Sequence, residues 1–165
     1  MKLKGLIAAA FGGIISFGVM STANADDLGK QGTFSGQIGL VTVSDNVMVM
    51  AENHLYIVGK YAGASTPSSG SGFLQNMAWA CGGTTEIVDG VPTGIGYCTV
   101  TDQDGDHISG QWSCTAGTED CDQYFNIGGT GKYEGMQSHN KFKLVFIGST
   151  GHFNSFLWDG AYTIP

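Results

Sequence analysis

Four glycines in eight residues, in the stretch Gly128-Gly129-Thr130-Gly131-Lys132-Tyr133-Glu134-Gly135, constrain this chain more than any other feature. Glycine reaches positive φ without steric cost. Inside a strongly coiled sheet it marks a bend, a bulge or a close backbone approach. Both flanks are strand-like. Tyr124, Phe125 and Ile127 come before it, and Lys141-Phe142-Lys143-Leu144-Val145-Phe146-Ile147 follows with a clear period of two. The stretch therefore reads as the corner between two strands. A phosphate-binding loop is the rival, because Gly131-Lys132 follows other glycines. That motif needs glycine at position 126 and Ser or Thr at 133, where this chain has Asn126 and Tyr133. Nor does a helical pattern follow to present its N-terminus to a phosphate.

The same style of sequence runs through most of the chain. Beyond residue 25 helical periodicity is scarce, and short apolar runs rich in Thr, Val, Tyr and Phe are broken by turn residues. Such a pattern predicts an all-β fold. Candidate strands are Thr33–Val43, Leu55–Tyr61, Phe73–Ala80, Ile95–Thr101, His107–Cys114, Gln123–Gly128, Tyr133–Ser138, Phe142–Ile147 and Asn154–Thr163. The run Val47-Met48-Val49-Met50-Ala51 is continuous rather than alternating, which predicts a segment covered on both faces. Gly63–Gly72, with Ser65, Thr66, Pro67, Ser68 and Ser69, reads as a polar surface loop. About eight strands suffice to close an antiparallel up-and-down barrel.

Residues 1–25 read as a secretory signal peptide outside that fold. Lys2 and Lys4 form a positive start, Leu6 to Val19 an apolar run, and Ala23-Asn24-Ala25 a small-x-small cleavage site. The expected product is periplasmic or extracellular, a single β-barrel domain over residues 26–165. No later apolar stretch reaches the roughly 18 residues of a membrane helix. Without Lys2 and Lys4, five lysines face fourteen acids, a net charge of −9. That charge repels phosphate backbones, so nucleic acid is not an expected partner.

Four cysteines in an exported chain predict two disulfides. In an antiparallel meander Cys81, Cys98, Cys114 and Cys121 fall at one end of the sheet. Pairing Cys98 with Cys114 would leave Cys81 and Cys121 about three strand spacings apart, beyond disulfide reach. The expected bridges are therefore Cys81–Cys98 and Cys114–Cys121. The spacings lack a C-x-x-C pair, which argues against zinc. Asp102-Gln103-Asp104-Gly105-Asp106 resembles a calcium loop, but its glycine stands at position 4 and Ser113 occupies position 12. A hairpin turn is the preferred reading. The alternative is a cation held by Asp102, Asp104 and Asp106. His54, His107, His139 and His152 are scattered without ligand spacing, and no G-x-S-x-G elbow occurs.

The order of Cys98, the Asp102–Asp106 cluster, Trp112-x-Cys114 and the Gly128–Gly135 corner resembles the allene oxide cyclase barrel-like group. That group contains allene oxide cyclases, dirigent proteins and small exported bacterial proteins of unknown role. The resemblance covers about residues 73 to 148. It implies an eight-stranded calycin-type barrel with an apolar cavity, trimeric assembly, and chemistry that needs no metal or organic cofactor. Cyclases of the group steer a reactive epoxide into ring closure, and dirigent proteins steer radical coupling.

With Lys141 and Lys143 facing solvent, Phe142, Leu144 and Phe146 would point inward, joined by Phe156, Trp158 and Tyr162 from the last strand. These six are the predicted cavity lining, although small barrels are usually filled by such side chains. The leading expectation is a barrel that binds a small apolar ligand or serves as an interaction module. A cofactor-free cyclase or isomerase is the alternative, with Tyr97, Tyr133 and Glu134 as its first candidate catalytic groups. A structural envelope protein without a ligand is the third possibility.

Overall fold

The computed structural model describes residues 28–70, 72–115, 121–148 and 151–165. The expected signal peptide lies outside them. Eight strands follow in chain order: β1 (Gln31–Ala51), β2 (His54–Gly70), β3 (Ala78–Val88), β4 (Val91–Thr101), β5 (His107–Cys114), β6 (Cys121–Gly129), β7 (Gln137–Ile147) and β8 (Phe153–Thr163). Each pairs antiparallel with the next, and β8 returns to β1 from Gln31↔Thr163 to Val41↔Phe153. The all-β antiparallel barrel predicted from the alternation is the fold found. Full closure of this kind leaves no edge along the paired length of β1 and β8.

Because the strands run up and down, the connections divide between two ends. The β2–β3, β4–β5 and β6–β7 connections share one end, and that end is plugged. Phe73, Leu74 and Met77 of the β2–β3 connection are buried, as are Tyr133 and Met136 between β6 and β7. They pack on Phe34, Trp79, Val100, Ile108, Phe125, Trp158 and Tyr162 from the strands. Phe73 is the hub, with its ring centroid 4.9 Å from Phe34 and 5.1 Å from Tyr162. Each such side chain contributes about 1.5–3 kcal/mol by leaving water.

Four sequence expectations are corrected at this level. Gly63–Gly72 is strand as far as Gly70. Its Ser65 is buried, donates a hydrogen bond through Oγ to the Leu74 carbonyl (2.5 Å) and accepts one from the Met77 amide (3.3 Å), which holds the plug in place. Phe73–Met77 is therefore connection rather than strand, and β3 begins at Ala78. Tyr133 closes a 3-10 turn, Gly131–Tyr133, and β7 begins at Gln137. Val47–Met50, expected to be covered, are 42–73 % exposed. They belong to a part of β1 beyond Val41 that pairs with β2 but no longer with β8.

Candidate functional site

At the end opposite the plug the barrel is open, and a cavity of about 200 Å³ descends into it. Trp79, Cys98 and Ile38 line it below, with Trp112, Phe142, Phe156, Leu40 and Leu144 along its walls. Both disulfides border it, as Cys81–Cys98 and Cys114–Cys121, the pairing expected from strand order.

The hollow exists because one wall is glycine. Gly59, Gly83 and Gly96 are successive cross-strand partners from β2 to β4. Cross-strand partners share a face of the sheet. The Trp112 ring lies against this row, so a methyl added at Gly96 would stand 2.6 Å from its Cε2 and Nε1. Tyr61 lies over Gly59 in the same way. Two large aromatic rings are thereby drawn to the wall, leaving the centre open.

The lining carries no charged side chain among the described residues. Its polar groups are Tyr61, Thr85, Thr93, Gln123 and Asn154. Burial raises the Tyr61 phenol above its ordinary pKa, the hydrogen bond with Thr85 opposes that, and Asp45 adds to it. Gln123 is buried, and its Oε1 accepts from Asn140 Nδ2 at 3.2 Å. Trp79 Nε1, Ser138 Oγ, Asn140 Oδ1, Trp158 Nε1 and Tyr162 Oη have no hydrogen-bond partner among the described residues and are sealed from the cavity as well as from solvent. Polar contact with anything bound thus falls to the five lining groups.

The structure distributes the predicted site residues unevenly. Phe142, Leu144 and Phe156 line the cavity. Trp158 and Tyr162 share their face but lie deeper, in the packed core. Phe146 is 54 % exposed, because the β7–β8 register slips between Leu144 and Phe146. One extra residue in a strand turns every later side chain to the opposite face. Tyr97 is 62 % exposed on the outside, Glu134 is exposed, and Tyr133 is buried in the plug. None of those three lines the cavity. Tyr61 and Gln123 were missed, since each is a single residue in an ordinary strand pattern.

The acidic turn and the glycine corner meet at the plugged end. Asp102 Oδ1 accepts from the amides of Asp104 (2.9 Å) and Asp106 (3.1 Å), which shapes a hairpin turn between β4 and β5. Lys132 of the corner places its Nζ 2.8 Å from Asp102, 2.5 Å from Asp104 and 4.0 Å from Asp106. An ammonium thus occupies the position where a cation among the three carboxylates would sit. Tyr133 Oη donates to Asp102 at 2.9 Å. Gly131 makes this docking possible: its φ is +51°, and a side chain there would run into the Asp106 carboxylate.

Burial pushes the Asp102 carboxyl upward, but hydrogen bonds from Lys132, Tyr133 and the Asp104 amide outweigh it and leave the pKa below the usual range. Burial likewise opposes the Lys132 charge, yet Asp102 and Asp104 hold its pKa above the ordinary lysine value. Burial and the carboxylates raise the Tyr133 phenol. The signs define a window. Asp102 contributes stability above the unfolded carboxyl pKa near 4, lost as pH falls through its lower folded value. Lys132 and Tyr133 contribute below about pH 10, and that part is lost as pH rises through their higher folded values. The melting temperature is expected to be flat between about pH 5 and 9 and to fall on both sides. In Lys132→Met the alkaline fall should shrink, and an unchanged alkaline limb would remove the clamp from the explanation.

This is an eight-stranded closed barrel with one end plugged and an uncharged, aromatic-walled cavity at the other. The same fold occurs in two solved structures of pterocarpan synthase dirigent proteins. One superimposes with a TM-score of 0.51 at 11 % identity, over 82 % of this chain and 92 % of its own. The other gives 0.50 at 11 % identity, over 83 % and 97 %. No protein-family model and no curated protein sequence matches the chain. At this identity the likeness establishes the barrel and leaves activity to be argued from the cavity.

Proposed function

We propose that the protein is an exported barrel that takes a small, uncharged, apolar molecule into its open end. The observation that carries this reading is the cavity itself. Small barrels are ordinarily filled, and here the Trp112 and Tyr61 rings lie against glycines of the wall. Export is supported by the signal-like N-terminus and by two disulfides, which persist in oxidising compartments. Among the described residues, no helix is long and apolar enough to cross a membrane.

The test uses N-phenyl-1-naphthylamine, a neutral dye that brightens in apolar surroundings. One dye should bind per chain, and Leu144→Trp should weaken binding more than tenfold, because the indole would occupy the space beside Phe142 and Phe156. Far-UV circular dichroism of that variant should match the parent. An unresponsive parent protein, or full binding by a folded Leu144→Trp, would sink the reading.

A second reading is favoured by the dirigent-type barrel together with the Tyr61–Thr85 pair on the cavity wall. A cofactor-free cyclisation or coupling needs a flexible reactant held in one productive conformation, with a polar group at a fixed place in an apolar pocket. Tyr61 and Gln123 would fill that role. Tyr61→Phe should then lower product selectivity without changing dye affinity.

A further inference from the structure

The cavity wall does not stop at the barrel mouth. β1 continues ten residues past its last pairing with β8, and β2, β3 and β4 continue beside it. Two cross-strand rows cross this projecting sheet. One runs Val47, Ile57, Thr85, Gly94, and the next Val49, Leu55, Ile87, Pro92. Thr85, Gly94 and Pro92 line the cavity. Partners across a sheet share a face, so Val47, Val49, Leu55, Ile57 and Ile87 face the same way, above the opening. Val47 is 50 % and Val49 73 % exposed. This is an apolar shelf continuous with the cavity.

We infer that the ligand is an elongated apolar molecule without a negative charge, one end in the cavity and the rest along this shelf. The inference rests on the cavity-binding reading above. Two observations set the class. The cavity, about 200 Å³, is smaller than the roughly 300–1,000 Å³ of pockets that enclose a drug-sized molecule, so a larger ligand must lie partly outside it, and the shelf is the apolar surface it meets there. Around the shelf stand Asp45, Glu52 and Asp89, with Lys60 the only lysine or arginine on the projecting strands, while Glu86 points to the opposite face and is paired with His54 at 2.6 Å. Such a collar repels a carboxylate or sulfate head.

The experiment titrates straight-chain primary alcohols from hexanol to dodecanol into the disulfide-bonded protein, read by the fluorescence of Trp79 and Trp112. Each added methylene should tighten binding about three- to fourfold through the whole series, at about 0.8 kcal/mol per buried CH₂. In Val47→Ser/Val49→Ser, both exposed positions, hexanol should bind as before while the gain per methylene fades for the longer alcohols. Decanoate should bind at least tenfold more weakly than decanol. A plateau by octanol in the parent protein, equal slopes in the variant, or decanoate matching decanol would each overturn the inference while leaving the cavity reading intact. Failure of hexanol itself would count against that reading. Light scattering supplies the remaining arm: a dimer that dissociates in the double variant and is indifferent to alcohols would mean a second copy covers the shelf, and the inference falls.

Discussion

Gly96→Ala is expected to destabilise the barrel by about 3 kcal/mol, the upper part of the range for forcing atoms into a packed site. The added methyl would collide with the Gly82 carbonyl of β3 and stand 2.6 Å from the Trp112 ring. The carbonyl belongs to a paired strand and cannot retreat without breaking the ladder. The indole can move only toward the cavity, so the same substitution should weaken N-phenyl-1-naphthylamine binding and shift the Trp emission to the red. A double-mutant cycle with Trp112→Leu separates the two contacts, because coupling between touching residues is measurable while distant sites add. Removing the indole should recover part of the loss and leave the part owed to the carbonyl. A Gly96→Ala protein that melts like the parent would show that the ring does not lie on that wall.

The physical reasons some of this was legible in the sequence, and some not, are specific. Alternation in Phe142–Leu144 and Phe156–Tyr162 encodes an inward face, and the closed barrel follows from about eight such segments. The cysteine pairing was legible because neighbours in a meander are neighbours in sequence. Phe146 was misplaced because a register slip leaves no mark in the alternation of the slipped strand. Gly63–Gly72 looked like a loop because small and polar residues serve two purposes. At Gly63 any side chain would meet the Gly39 carbonyl on β1, and the Ser65 hydroxyl is spent inside the protein on Leu74. Val47–Ala51 looked buried because a run of apolar residues encodes apolar surroundings without saying whether the chain itself supplies them. The Asp102–Lys132 contact spans thirty residues and depends on the turn at Gly131. Tyr61 lies over Gly59, and Trp112 over the glycines aligned with it, through the registers of β2 with β3 and of β3 with β4, which no single strand's pattern records.

Removing the bridges should have an effect of similar size, and unequal between them. Cys81 and Cys98 stand opposite each other on β3 and β4, with Cα atoms 4.1 Å apart and a sequence separation of 17. Cys114 and Cys121 join β5 to β6 across a separation of 7. If a bridge acts mainly by restricting the unfolded chain, loops of these lengths give about 3 and about 2.5 kcal/mol respectively. For a domain of this size the first corresponds to a fall of about 10 °C in melting temperature. Cys81→Ala/Cys98→Ala should therefore melt lower than Cys114→Ala/Cys121→Ala, and dithiothreitol should lower the parent further than either. The first pair also walls the cavity, so its loss should loosen dye binding beyond what the melting temperature alone explains. Equal melting of parent and double variants, or a Cys98–Cys114 peptide from the non-reduced protein, would contradict the pairing on which the open end of the barrel is built.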